Sequence, residues 1–180
     1  MQEIETKILE VDKEEVKNKM KLLGAKEIKN TRLFVDWYCP KGAEDSGHPW
    51  YLRVRKTTDG KSEISWKSLE KFVGNTRQSD EINIDVSDFE KAKSLLEAVG
   101  LLHYAHQEKD RVSFVYKDWN FDLDQYPGMP AYLEIEGNSE EHVEEAIKLL
   151  DLQNHEAISQ GETKLIRERY GLDWNNMYFE

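Results

Sequence analysis

An α+β protein built round one antiparallel sheet is the fold this sequence predicts. Three observations carry the expectation. About eight short runs alternate polar and apolar residues as strands do. The helical segments are few, and capping residues open them. Asp59-Gly60 joins two of the alternating runs with the signature of a tight hairpin.

Residues 2–10 begin the pattern, with Glu3, Glu5 and Lys7 on one side and Ile4, Thr6 and Ile8 on the other. Asp12 reads as an N-cap, Glu15 completes a capping box, and the helix it opens stops at Gly24. Residues 26–39 return as a strand and end in a loop over 40–49 rich in Pro, Gly and Asp. Residues 50–56 and 63–69 are the arms of the Asp59-Gly60 hairpin. A further run over 80–86 leads to Ser87, read as the cap of a second helix with Glu90 three positions on; that helix ends at Gly100. Strand-like stretches follow over 101–116, 119–124 and 131–137. Ser139 then caps a helix through Leu150, and a last helical segment covers about 161–170. Residues 3–38 and 81–116 share one order: an acidic strand, a capped helix, a glycine, and a long strand carrying an Arg. A third, shorter strand–helix unit starts at Glu134.

The length fits one domain, or at most two small ones, and is enough to bury a core. With 38% hydrophobic residues, five Trp, eight Tyr and six Phe, the chain is not of the disordered class. A net charge of −11 disfavours binding to nucleic acid through phosphate contacts, so no nucleic-acid partner is expected. Cys39, the single cysteine, excludes an intramolecular disulfide and multi-cysteine zinc sites. Residues 1–11 place charges where a signal peptide needs an apolar run, and no apolar stretch approaches the ~20 residues of a membrane span. The expectation is a soluble, cytoplasmic protein without a membrane partner.

The polar faces of the predicted strands carry the chemistry. Glu3/Glu5, Asp122/Asp124 and Glu134/Glu136 are acidic pairs at i, i+2; Arg53/Arg55 is the basic counterpart, with Lys67 and Arg111 on other strands. Side chains two apart share a face roughly 6.5–7 Å from each other. Paired carboxylates repel, and a cation relieves them. Mg²⁺ takes oxygen ligands, commonly one or two carboxylates with waters and phosphate oxygens. Arg and Lys grip phosphate. Each pair alone reads most simply as a solvated strand face; together they point to a metal-bound polyphosphate.

These motifs resemble those of the CYTH family, which joins class IV adenylyl cyclases with thiamine triphosphatases and tripolyphosphatases. The resemblance rests on Glu3-Ile4-Glu5-Thr6-Lys7, Leu52-Arg53-Val54-Arg55, Trp66-Lys67, Glu81, Arg111, Asp124 and Glu134-Ile135-Glu136-Gly137. It implies a single domain over residues 1–175 with a short tail at 176–180. The fold it implies is a closed eight-stranded antiparallel barrel, a triphosphate tunnel, with helices packed outside. It further implies that Glu3, Glu5, Glu134 and Glu136 hold Mg²⁺ or Mn²⁺, with Asp124, assisted by Asp122, as a further acidic metal ligand or water-orienting group. Lys7, Arg53, Arg55, Lys67 and Arg111 would bind the triphosphate, Lys164 would close one tunnel mouth, and Glu81 would be another lumen carboxylate. Glu5, Lys7 and Asp124 would stand nearest the reaction.

Two reactions share such a clamp. A triphosphatase directs water at the terminal phosphorus, whereas a cyclase directs the ribose 3′-hydroxyl of ATP at the α-phosphorus. Some class IV cyclases carry a His-Phe signature before the first Glu; here Met1 and Gln2 stand there, which favours hydrolysis of inorganic triphosphate, ATP or thiamine triphosphate. The alternatives are a class IV adenylyl cyclase and a non-catalytic nucleotide- or polyphosphate-binding barrel. An RNA triphosphatase fits the acidic charge poorly. The family also includes homodimers, so self-association is admitted.

Other motifs carry less. Gly42–His48 lacks the Lys-Ser/Thr ending of a phosphate loop. His103 and His106, three apart on a predicted strand, are expected on opposite faces. Cys39 reads as a small packed side chain, and Trp37, Tyr38, Trp50 and Tyr51 as packing between sheet and helix, with contact of one ring to a nucleobase or thiamine-like group as the alternative.

Overall fold

The computed structural model of the chain describes residues 4–43, 50–68, 71–73, 76–78 and 80–180. In chain order the elements are β1 (Ile4–Ile8), α1 (Lys13–Leu23), β2 (Lys26–Pro40), β3 (Trp50–Thr57), β4 (Ser62–Ser68), β5 (Lys71–Val73), β6 (Thr76–Gln78) and β7 (Glu81–Asp85). They continue with α2 (Phe89–Ala98), β8 (Leu101–Tyr116), β9 (Trp119–Gln125), β10 (Tyr132–Gly137), α3 (Glu140–Leu149), β11 (Ala157–Ile158), α4 (Glu162–Lys164) and β12 (Asn176–Met177). A π-helical turn, Leu165–Arg169, continues α4. Among the described residues, no helix is long and apolar enough to cross a membrane.

The α+β class is observed: among the described residues, an antiparallel sheet with four helices. Its strands follow the order β11-β1-β10-β9-β8-β2-β3-β4-β7, with β12 parallel beside β8; β5 and β6 form a separate hairpin. The expected closure into an eight-stranded barrel is not observed, because this order is open at β11 and at β7 among the described residues. Closure needs two strands able to share a ladder; β11 has two residues, and β7 has all five residues exposed.

The chain divides into two compact units, with β2 and β8 contributing to both. The first holds residues 1–31 and 109–172. Alternation in β8, β9 and β10 sends Val112, Phe114, Phe121, Leu123, Leu133 and Ile135 to one face, where they form a core with Val16 and Met20 of α1 and Val143 and Ala146 of α3. Each helix starts as its sequence demands. Asp12 accepts a hydrogen bond from the Glu15 amide at 2.8 Å, and Ser139 accepts one from the His142 amide at 3.1 Å. Gly24 ends α1 with φ 74°, the left-handed conformation that a side chain disfavours.

The second unit holds residues 32–108 and 173–180. Val54, with the partly buried Leu52 and Ile64, packs against Phe89, Ala92 and Leu96 of α2. The predicted hairpin joins β3 to β4, with Arg53 opposite Ser65 and Arg55 opposite Glu63. Gly60 supplies the positive φ of 86° that the turn requires. The cap of α2 is Asp88 and not Ser87: the Asp88 carboxylate accepts from the Lys91 amide at 3.0 Å. The carboxylate one residue on has the geometry to take the third amide of the helix, so the helix starts there.

Candidate functional site

In the first unit, the face of the sheet opposite the core is ionic. Register explains why. Lys7 lies opposite Glu134 and Glu5 opposite Glu136 across β1 and β10. Glu134 lies opposite Asp122 across β10 and β9, and Asp124 opposite Arg111 across β9 and β8. Strand alternation therefore gathers Glu5, Lys7, Arg111, Asp122, Asp124, Glu134 and Glu136 on one face. Glu3 lies outside the described residues.

Among the described residues, Lys7, Arg111 and Lys109 are the cations that organise this face. The Lys7 ammonium is buried, 3.0 Å from Glu134 Oε2 and 3.3 Å from Glu5 Oε1. Burial works against its charge, but Glu134, Glu5 and Glu162 more than offset that and hold its pKa above the ordinary lysine range. Arg111 makes a two-pronged contact with Asp124, at 2.7 Å from Nε and 2.6 Å from an Nη, and also pairs with Asp122. Ser113 donates to Asp122 at 2.5 Å. Glu134 pays for its position: burial first, then the neighbouring Glu5, push its carboxyl up to about 7 against the pull of Lys7 and Arg111.

Asp124 is fully buried, and its oxygens are already engaged by cations. Besides Arg111, it meets Lys109 Nζ at 2.9 Å and accepts from the Tyr132 hydroxyl at 3.2 Å. Burial raises its pKa, but Arg111 and Lys109 outweigh that and hold it low. This is the arrangement of a carboxylate that positions basic side chains. Lys109 also reaches Glu162 Oε1 at 2.7 Å. The Tyr126 and Tyr132 hydroxyls donate to Glu162 at 2.7 and 2.6 Å.

In the second unit, Arg53, Arg55, Lys67 and Glu81 share one face. Glu81 stands 4.0 Å from Arg53 and 3.8 Å from Lys67. Arg55 pairs with Glu63 at 2.7 Å; the Ser65 hydroxyl and Arg55 hold Glu63 low against the opposing effect of burial. Trp37 and Tyr51 lie on this ionic face, their rings edge-to-face at 6.4 Å, with the Arg53 guanidinium 5.5 Å from the Trp37 ring. Tyr38 of that aromatic group joins the core against α2.

One further placement differs from the expectation. His103 and His106 are not on opposite faces: both rings reach Asp36 Oδ1, at 3.2 and 2.6 Å, so simple alternation does not hold between them. Lys93 of α2 meets the other Asp36 oxygen at 2.7 Å. Lys164 is 55% exposed on a short turn of helix and pairs with Glu168 at 3.7 Å, outside the cluster round Arg111.

Sequence reasoning missed Lys109, Tyr126, Tyr132 and Glu162. Lys109 was within reach of the same rule that selected Arg53 and Arg55, since it precedes Arg111 by two on one strand. Glu162 had no local signal, because it belongs to the face through tertiary contact alone.

The sequence profile of the family described as the CYTH domain matches residues 1–168. No curated protein matches the chain significantly. Among solved structures, a conserved hypothetical protein from Pyrococcus furiosus is 19% identical with TM-score 0.74, over 91% of this chain and 99% of that one. A suspected adenylate cyclase from Vibrio parahaemolyticus is 15% identical with TM-score 0.73, over 92% and 98%. A suspected adenylyl cyclase from Hippeastrum, described as having a dominant triphosphatase activity, is 16% identical with TM-score 0.69, over 97% and 99%. At these identities the likeness is one of fold.

Proposed function

Since the chain belongs to the CYTH family, we propose that it is a divalent-metal-dependent enzyme acting on a small triphosphate, and that it hydrolyses inorganic triphosphate or a nucleoside or organic triphosphate. The observation that carries this reading is the face of the first unit, where the buried cation Lys7 stands in register with Glu134 and Glu5 with Glu136, on the same face as Arg111.

The donor set fits Mg²⁺ or Mn²⁺. Glu5 and Glu136 face each other directly across two strands, an arrangement that repels unless a cation intervenes. All the donors are oxygens, as these ions prefer. Among the described residues no three His, Cys, Asp or Glu side chains close round a metal position; Mg²⁺ commonly completes its shell with water and phosphate oxygens. Glu5, Glu134 and Glu136 would hold the ion, with Asp122 nearby.

Bound there, the ion would polarise phosphate oxygens and activate water. The side chains supply position and charge. Lys7, Arg111 and Lys109 bind phosphate oxygens and offset the charge that builds as the anhydride bond breaks. Asp124 keeps Arg111 and Lys109 aimed. Arg53, Arg55 and Lys67 offer the second unit's basic groups to the same class of ligand.

A product assay with Mg²⁺ or Mn²⁺ tests this, offering inorganic triphosphate and ATP separately and resolving phosphate, pyrophosphate and cyclic AMP. Phosphate release that Glu5→Gln lowers by about 100-fold or more is expected. Cyclic AMP with pyrophosphate would assign the cyclase reaction instead. Binding of either triphosphate without turnover would make the chain a binding module.

A further inference from the structure

The ionic face of the first unit carries one carboxylate that the triphosphate reading does not use. Glu162 is neither on a strand nor part of the in-register acidic pairs. It starts α4, a three-residue helix that runs into the π-helical turn, and it follows the two-residue strand β11. Leu165 and Ile166 bury themselves beyond it, whereas Thr163 and Lys164 are exposed.

What Glu162 touches is a donor set suited to a phosphate group. Lys109 Nζ lies 2.7 Å from Oε1, the Tyr132 hydroxyl donates to the same oxygen at 2.6 Å, and the Tyr126 hydroxyl donates to Oε2 at 2.7 Å. Burial and then the charge of Glu162 keep both phenols protonated, so both remain donors. An ammonium and two hydroxyls aimed at one anion would serve a phosphate oxygen equally well.

Charge sharpens the point. Lys7, Lys109 and Arg111 are partnered here by Glu5, Glu134, Asp122, Asp124 and Glu162, so carboxylates outnumber cations on this face. A triphosphate, itself strongly anionic, meets repulsion unless an anion leaves or cations arrive. Glu5, Glu134, Asp122 and Asp124 are fixed on sheet strands. Glu162 is the carboxylate carried by a short segment outside the ladders.

We propose that Glu162 is an internal competitor for the phosphate-binding groups: its carboxylate occupies Lys109, Tyr126 and Tyr132 until a phosphate group of the substrate displaces it. Glu162 thereby sets the affinity for triphosphate and makes binding depend on divalent cations, which restore the charge balance. This inference rests on the triphosphate reading of the same face.

Calorimetric titration of the full chain with inorganic triphosphate, with EDTA and with Mg²⁺, tests it in the parent, Glu162→Gln and Glu162→Ala. The Gln variant keeps an acceptor for the tyrosines and removes the charge; the Ala variant stands in should Gln distort the fold, which circular dichroism reports. Removing one charge at such close range is expected to tighten binding without metal by about tenfold, with a smaller gain in Mg²⁺. In the parent, added triphosphate should also raise hydrogen exchange at the amides of residues 162–166. Binding by the parent that either folded variant leaves unchanged or weakens would overturn the competitor role and make Glu162 a support for Lys109, while the triphosphate reading stands. No binding by any of the three proteins, folded and in Mg²⁺, would overturn both.

Discussion

Asp124→Asn removes one charge from the most buried ion pair of the first unit. The parent carboxylate is fully buried and receives Arg111 twice, at 2.7 and 2.6 Å, Lys109 at 2.9 Å and Tyr132 at 3.2 Å. Asparagine keeps the volume but leaves two buried cations against a neutral amide whose NH₂ points donors at donors. Breaking a buried pair from one side costs about 3–5 kcal/mol, since the remaining charge is uncompensated. Asp122 still faces Arg111 and Glu162 still faces Lys109, which argues for the lower end, about 3 kcal/mol. With a urea dependence of about 2 kcal/mol per molar, the unfolding midpoint should fall by about 1.5 M. Equilibrium urea unfolding followed by tryptophan fluorescence reads this, because Trp119 sits in the core of that unit. A midpoint within about 0.3 M of the parent would refute the view that Asp124 is the electrostatic anchor of Arg111 and Lys109.

Asp36 gives the second unit an acid-sensitive contact. Burial opposes ionisation, but the hydrogen bonds from His106 and Lys93 prevail and lower its pKa from 3.8 to about 2. A depressed carboxylate stabilises above its unfolded pKa and loses that contribution as pH falls through about 4 to 2, on the order of 2 kcal/mol. Thermal unfolding at pH 5 and pH 2 should therefore show a larger loss for the parent than for Asp36→Asn; equal losses would contradict the assignment. Asp12→Ala and Ser139→Ala each remove a helix cap and should cost about 1 kcal/mol in urea unfolding, with Ser139→Thr recovering most of it. Gly24→Ala should cost about 1 kcal/mol by the same measurement: the added carbon would meet nothing within 4 Å, so the penalty is that of the backbone at φ 74°.

Much of this molecule is written in local pattern. Period-two alternation placed Glu5 with Lys7, Arg53 with Arg55 and Glu134 with Glu136 on shared faces, because a strand's geometry leaves a residue no other choice. Asp12, Ser139, Gly24 and the Asp59-Gly60 turn were legible for the same reason: caps and turns are satisfied by neighbours in sequence. Ser87 misled by one position, since Asp88 offers an equally suitable oxygen and backbone direction selects between them.

What pattern could not supply was partnership across the chain. Nothing in residues 159–166 announces that Glu162 meets Lys109, 53 positions away, or that two tyrosines converge on it. Nor does the spacing of His103 and His106 show that both rings turn to Asp36. Nor does the neighbourhood of Asp124, which reads as an acidic pair, show its burial beside Arg111 and Lys109. Period and capping are properties of adjacent residues, fixed by covalent geometry. Desolvation and charge compensation depend on which distant groups the folded sheet brings within a few ångströms, and only the tertiary structure decides that.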